Sequence, residues 1–124
     1  MQPWIQEVIA EAFSSLGPVE IRTTERRDHA QEIASQASSD GHTLVVTVGG
    51  DGTVNEAVNG LLHDGPGPDV PPLVTLPGGH TNVFARLLGY SSDPIEATSQ
   101  ALEAIRRHQS LVINLGRADD RWFL

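Results

Sequence analysis

A run of five residues, Leu44-Val45-Val46-Thr47-Val48, passes directly into Gly49-Gly50-Asp51-Gly52, and a helical stripe follows at once. The run is too short for a helix, rich in β-branched residues and without polar alternation. It therefore reads as a central parallel strand covered by helices on both faces. Val54, Ala57, Val58, Leu61 and Leu62 then recur at helical spacing. Thr53 and Glu56 stand at capping-box spacing, which places the helix start near Thr53. A buried strand that turns through glycines into a helix commits the chain to an α/β fold, whose ligands gather at the carboxyl ends of the strands.

The rest of the chain repeats the alternation. Ile5, Val8, Ile9, Ala12, Phe13 and Leu16 predict a helix stopped by Gly17-Pro18, with a short strand over Val19 to Arg22 behind it. Ala30, Ile33, Ala34 and Ala37 predict a second helix closed by Asp40-Gly41. Residues 64–72 form a proline-rich loop before a buried strand from Leu73 to Leu76. A short helix is expected near Asn82 to Leu88, capped by Gly89. Asp93-Pro94 opens another, with Ile95, Thr98, Leu102 and Ile105 on its inner face. Leu111 to Leu115 and Arg121 to Leu124 read as strands joined by a turn at residues 118–120. The pattern starts on a helix where an alternating fold ordinarily starts on a strand. It stops inside the apolar strand Trp122-Phe123-Leu124, an edge prone to unwanted pairing, so both ends read as cut.

Charge removes several functions. The formal net charge is −8, and every basic residue is Arg. Nucleic-acid binding and broad attraction to anionic membranes both need a basic surface, and the pairs Arg26-Arg27 and Arg106-Arg107 do not supply one. With no Cys there is neither a disulfide nor a thiolate metal site. No apolar run reaches the roughly 18 residues of a membrane span, and no secretory signal stands at the start. A cytoplasmic location is the expectation. His29, His42, His63 and His108 lack the spacing of a zinc site.

The second strand repeats the design of the first: Leu73-Val74-Thr75-Leu76-Pro77-Gly78-Gly79-His80-Thr81-Asn82-Val83-Phe84. Glycines let the backbone turn sharply and approach a ligand, and helix N-termini offer free N–H groups to phosphate. Two such turns on one sheet edge can grip a polyphosphate; the plainer alternative is two tight strand–helix turns. A Walker P-loop is excluded because the chain has no Lys, and a dinucleotide fingerprint fails because Asn55 stands where its third glycine belongs.

These segments carry a resemblance. Gly49-Gly50-Asp51-Gly52-Thr53-Val54-Asn55-Glu56 resembles the Gly-Gly-Asp-Gly-Thr signature of the diacylglycerol and sphingosine kinase catalytic domain. Pro77-Gly78-Gly79-His80-Thr81-Asn82-Val83-Phe84-Ala85-Arg86 is similar to that family's second glycine segment, and residues 23–30 to a weaker third element. The resemblance implies a three-layer α/β/α lobe with a mostly parallel sheet, like the N-terminal domain of NAD kinases and phosphofructokinases. That lobe would cover residues 1–109, its first strand missing, with residues 110–124 beginning a second, β-rich lobe.

It further implies that Gly49, Gly50, Asp51, Gly52, Thr53, Val54 and Asn55 wrap the phosphates of ATP. Asp51 would act through Mg²⁺, or else cap the helix that starts near Thr53. Thr24, Gly79 and His80 would reach the nucleotide, although Thr24 could equally form a turn; Asn82 would hold the second loop or reach the nucleotide, and Arg86 would approach phosphate or stay solvated. His80 and Val83 depart from the family's usual Thr and Asp. The catalytic base would lie in the second lobe, so no catalytic residue is named and this stretch alone is expected to be inactive. The implied function is ATP-dependent phosphorylation of a lipid hydroxyl, diacylglycerol-like, at the membrane surface in phospholipid metabolism. Two alternatives stand beside it: a soluble NAD kinase-like enzyme, and a non-catalytic nucleotide-binding module. A sheet edge left open by a missing strand would favour pairing of two chains.

Overall fold

The computed structural model describes residues 3–78, 82–110, 113 and 115–123. Helix α1 (Pro3–Phe13) begins on a proline, continues as a 3-10 turn over Ser14–Leu16, and stops at Gly17, whose φ of 144° suits glycine. Helix α2 (His29–Ser39) ends at Asp40 and Gly41, the latter left-handed at φ 81°. Strand β1 (Val45–Gly49), helix α3 (Asp51–Leu61) and strand β2 (Leu73–Pro77) follow, then helices α4 (Val83–Leu87) and α5 (Pro94–Arg106), and a hairpin of β3 (Gly116–Ala118) and β4 (Arg121–Phe123).

β1 and β2 are parallel, with Val45 opposite Leu73 and Gly49 opposite Pro77. On one face α1 and α5 press Ile9, Phe13, Ala97, Ala101 and Leu102 against Val74 and Leu76. On the other, Ala34, Ala57 and Leu61 of α2 and α3 meet Val45 and Leu73. The result is the three-layer α/β/α arrangement expected from the sequence. Gly60 brings α2 and α3 together: a Cβ there would overlap the carbonyl oxygen of Gln31 and crowd Ala34.

Four expectations need correction. Residues 19–22 are extended but join no strand, and Val19 and Ile21 stay 44% and 54% exposed. A gap separates this segment from β1, so no ladder closes. Among the described residues β1 pairs with β2 alone, and only Thr47 within it is buried, whereas four of five β2 residues are. In α5 the buried residues are Ala97, Thr98, Ala101 and Leu102, while Ile95 is 38% exposed. The alanines let the helix sit close to the sheet, which turns the larger Ile95 outward. Finally, the hairpin begins at Gly116; Leu115 lies outside the ladder, and Leu111, Val112, Asn114 and Leu124 lie outside the described residues.

Other punctuation reads as expected. Asp93 caps α5 by accepting a hydrogen bond from the Ile95 N–H at 3.0 Å, with Pro94 at the first helical position. Gly89 is left-handed at φ 85° after α4. Among the described residues, no helix is long and apolar enough to cross a membrane.

Candidate functional site

Both strands empty into their glycine turns at the same edge of the sheet. The Gly78 N–H donates to the Gly49 carbonyl at 3.0 Å, so the two turns are tied from their first residues. The first turn is tight: a Cβ on Gly49 would lie 2.7 Å from the Thr53 hydroxyl oxygen. Gly50, at φ −95° and ψ −170°, is the N-cap of α3, and no side chain caps that end. The helix therefore starts at Asp51, two residues before the sequence expectation, and Thr53 sits inside its first turn instead of forming a capping box. Nothing lies within 4 Å of where a Gly52 Cβ would stand. A helix start whose N-cap is a glycine without a side-chain cap bond is suited to an anion, because free N–H groups and the helix dipole both point there.

Asp51 is committed elsewhere. Its carboxylate oxygens accept hydrogen bonds from the Val83 N–H at 3.1 Å and the Phe84 N–H at 3.0 Å. Asn82 is the N-cap of α4 and makes no side-chain cap bond, so Asp51 supplies that cap from 32 residues away. The carboxylate also complements the positive end of this short helix. Sequence reasoning had allowed Asp51 a capping role, but on its own helix. The structure shows it capping the other one, which ties the second glycine segment to the first.

Asn55 faces a second junction. Asn59, buried in α3, donates to the Asn55 backbone and side-chain oxygens at 2.9 and 2.8 Å. The same Asn59 carboxamide donates to the Trp122 carbonyl at 3.0 Å and accepts from the Trp122 N–H at 2.8 Å. One side-chain amide thus pairs with a strand as another strand would, and it docks the β3–β4 hairpin onto α3. The Arg117 guanidinium stacks over the Trp122 ring at 5.3 Å. Asn59 was missed in the sequence, although an Asn within a run of core-facing residues was the available signal.

The remaining candidates are placed as follows. Thr24 is exposed and lines a cleft with Val48 and Thr53, beside the first turn. Asn82 begins α4, and Arg86 is exposed in its last turn. Gly79 and His80 lie outside the described residues. Arg26 and Glu32 form a surface ion pair that raises the guanidinium pKa and lowers that of the carboxyl, chiefly through their shared hydrogen bond. Tyr90, half-buried, has its phenol pKa raised by desolvation. Among the described residues, no group of three or more His, Asp or Glu could hold a metal ion.

Comparison with known proteins follows the same segments. The chain matches the family described as diacylglycerol kinase catalytic domain over residues 2–118. It is 33% identical over 122 residues to a probable lipid kinase YegS-like protein of Chromohalobacter salexigens, covering 98% of this chain and 38% of the relative. It is 32% identical over 105 residues to a putative lipid kinase of Streptococcus pneumoniae, covering 85% of this chain and 33% of the relative. With a diacylglycerol kinase of Staphylococcus aureus it shares 32% identity over 101 residues, 82% of this chain and 30% of that one. The chain thus spans about a third of the length of the curated relatives it matches.

Proposed function

This chain belongs to the diacylglycerol kinase catalytic domain family, and from that premise we propose that it is the ATP-binding portion of a lipid kinase. The complete protein transfers the γ-phosphoryl group of ATP to a lipid hydroxyl of the diacylglycerol type. One observation carries the nucleotide assignment: two strand–glycine–helix turns stand side by side on one sheet edge, joined by Gly78 to Gly49 and by Asp51 to α4. Names of relatives support a lipid acceptor over NAD, since all three are named as lipid or diacylglycerol kinases.

On this reading the first-turn N–H groups of α3 hold phosphate oxygens, and the glycines keep side chains out of the way. Asp51 holds the second turn against the first, so that both contact one triphosphate. Thr24 stands at the rim of the same cleft and contacts the nucleotide; Asn82 fixes the start of α4. Mg²⁺, when bound with ATP, offsets phosphate charge close to the Asp51 carboxylate. In phosphoryl transfer the protein's task is largely positioning and charge stabilisation, and that is the task these residues are shaped for.

Titration calorimetry with ATP and Mg²⁺ tests the assignment. The parent chain is expected to bind with one-to-one stoichiometry. Gly52→Val adds a side chain in open space at the first turn of α3 and is expected to weaken ATP at least about tenfold, while changing stability by less than about 0.5 kcal/mol, as exposed substitutions usually do. Equal ATP affinity in parent and variant refutes the phosphate site. Transfer to diacylglycerol in mixed micelles is to be measured on the full-length polypeptide.

A further inference from the structure

Asp51, Asn55 and Asn59 follow one another at helical spacing along α3 and so share one face of it. Asp51, at the leading end, is bonded to the start of α4, and Asn59, further on, to the backbone of Trp122. Asn55 stands between them, partly buried. The orientation of each carboxamide follows from bond to bond. The main chain of Trp122 sets the first: its N–H donates to Asn59 Oδ1 at 2.8 Å and its carbonyl accepts from Asn59 Nδ2 at 3.0 Å. Turning the Asn59 amide over would set NH₂ against N–H and oxygen against oxygen, so its orientation is fixed. Asn59 Nδ2 also donates to the Asn55 main-chain oxygen at 2.9 Å and to Asn55 Oδ1 at 2.8 Å. Only an oxygen can accept that bond, so Asn55 Oδ1 faces Asn59 and the Asn55 NH₂ group is turned away from it. Among the described residues no acceptor takes up this NH₂ group.

We propose that Asn59 is a positioning residue for the nucleotide: it holds Asn55 with the NH₂ group, and not the carbonyl, turned to the phosphates, and the hairpin fixes that orientation through Trp122. Given the nucleotide reading above, on which this rests, Asn59 acts on a ligand it never touches. Side chains of a helix lean toward its N-terminus, and Asn55 lies one turn from the N–H groups assigned to phosphate. An anion is held by donors and repelled by carbonyl oxygen, so the direction of one amide decides whether Asn55 attracts or repels a triphosphate. A free Asn side chain samples three rotamers and two amide orientations, of which roughly one in six would serve. The relay also runs in reverse. If a docked hairpin favours ATP, linkage requires that ATP favour the docked hairpin by the same factor. Asp51 stands outside this path, since its bonds go to α4.

The test combines calorimetry of the full chain with ATP and Mg²⁺ and amide hydrogen exchange at Trp122 with and without saturating nucleotide. Asn55→Ala removes the donor and is expected to weaken ATP about tenfold. Asn55→Asp keeps an oxygen for Asn59 but turns a second one to the phosphates, and is expected to weaken ATP about tenfold more. Asn59→Ala should weaken ATP about fivefold in the parent, from the lost orientation, and less than about twofold in an Asn55→Ala background. Saturating ATP should slow exchange of the Trp122 N–H by about the same fivefold in the parent and leave it unchanged in Asn55→Ala. This last comparison needs no change at Asn59, the residue whose loss also loosens the hairpin. Suppose instead that ATP binds the parent, but Asn59→Ala weakens it equally in both backgrounds, or Trp122 responds to ATP as strongly in Asn55→Ala. Asn59 is then structural only, and the proposal falls while the nucleotide site stands. A parent chain that binds no ATP overturns the nucleotide reading itself, and this proposal with it.

Discussion

Removal of the Asp51 carboxylate tests the link between the two glycine segments. The carboxylate receives two backbone N–H bonds, from Val83 at 3.1 Å and Phe84 at 3.0 Å, and both donors sit at the start of α4. A hydrogen bond to a charged group contributes about 1.5–3 kcal/mol when well shielded. Here the site is only partly buried, so the lower end applies, reduced further by solvent screening, to about 1 kcal/mol for each bond. Asp51→Ala should then cost about 2 kcal/mol, most of it in local opening of α4, since this five-residue helix cannot hold itself. Exchange of the Val83 and Phe84 amides should accelerate roughly thirtyfold, from about 1.4 kcal/mol per factor of ten.

Asp51→Asn keeps one acceptor but turns an NH₂ toward the other amide. It should lose about half of that energy and accelerate exchange roughly fivefold. The measurement is native-state hydrogen exchange without nucleotide or Mg²⁺. Rates within twofold of the parent in Asp51→Ala would refute the cap. If the residue acted solely through Mg²⁺, these apo rates would stay put and only the metal-dependent part of ATP binding would fall.

Other sites give independent tests. Gly60→Ala drives a Cβ into the Gln31 carbonyl and should destabilise by about 3 kcal/mol in urea denaturation, because α2 and α3 must separate. Asn59→Ala leaves the Trp122 N–H and C=O unpaired; a loss of about 2–3 kcal/mol and a red shift in tryptophan fluorescence should show the hairpin leaving α3. The phenol of Tyr90 should titrate, by ultraviolet absorbance, above its ordinary value of 10.0. Burial favours its neutral form, so its contribution to stability is complete below the unfolded pKa and fades as pH rises through the folded one. Tyr90→Phe should flatten that alkaline loss.

The elements and their order were legible because strand and helix periods differ and because Gly17, Gly41, Gly89 and Asp93-Pro94 punctuate them. Positions set by a neighbour were not. The inward face of α5 was read from its large residues, but alanines decided it, since close approach to the sheet rewards small side chains there. Burial of β1 was read from composition, yet burial depends on what stands beside a strand, and one side of β1 faces a cavity lined by residues 18–24.

The same division holds within the candidate site. Gly49, Gly50 and Gly52 could be read locally, since backbone freedom is a property of the residue itself. Asp51 could not, because a carboxylate beside a helix start has several uses and only the fold shows which donors reach it. Here they belong to Val83 and Phe84, whose own N-cap, Asn82, makes no side-chain cap bond. Asn59 makes the same point more strongly. Its partner Trp122 lies 63 residues on, and local sequence could say only that a polar group stood in a core-facing stripe and required a partner. Two long-range polar contacts of α3 thus lead from one helix to the start of α4 and to the C-terminal hairpin. A ligand that draws the α3 N-terminus toward phosphate therefore acts on both through side chains already engaged. Asn59→Ala should accordingly release the hairpin without accelerating exchange at Val83, whereas Asp51→Ala should do the reverse.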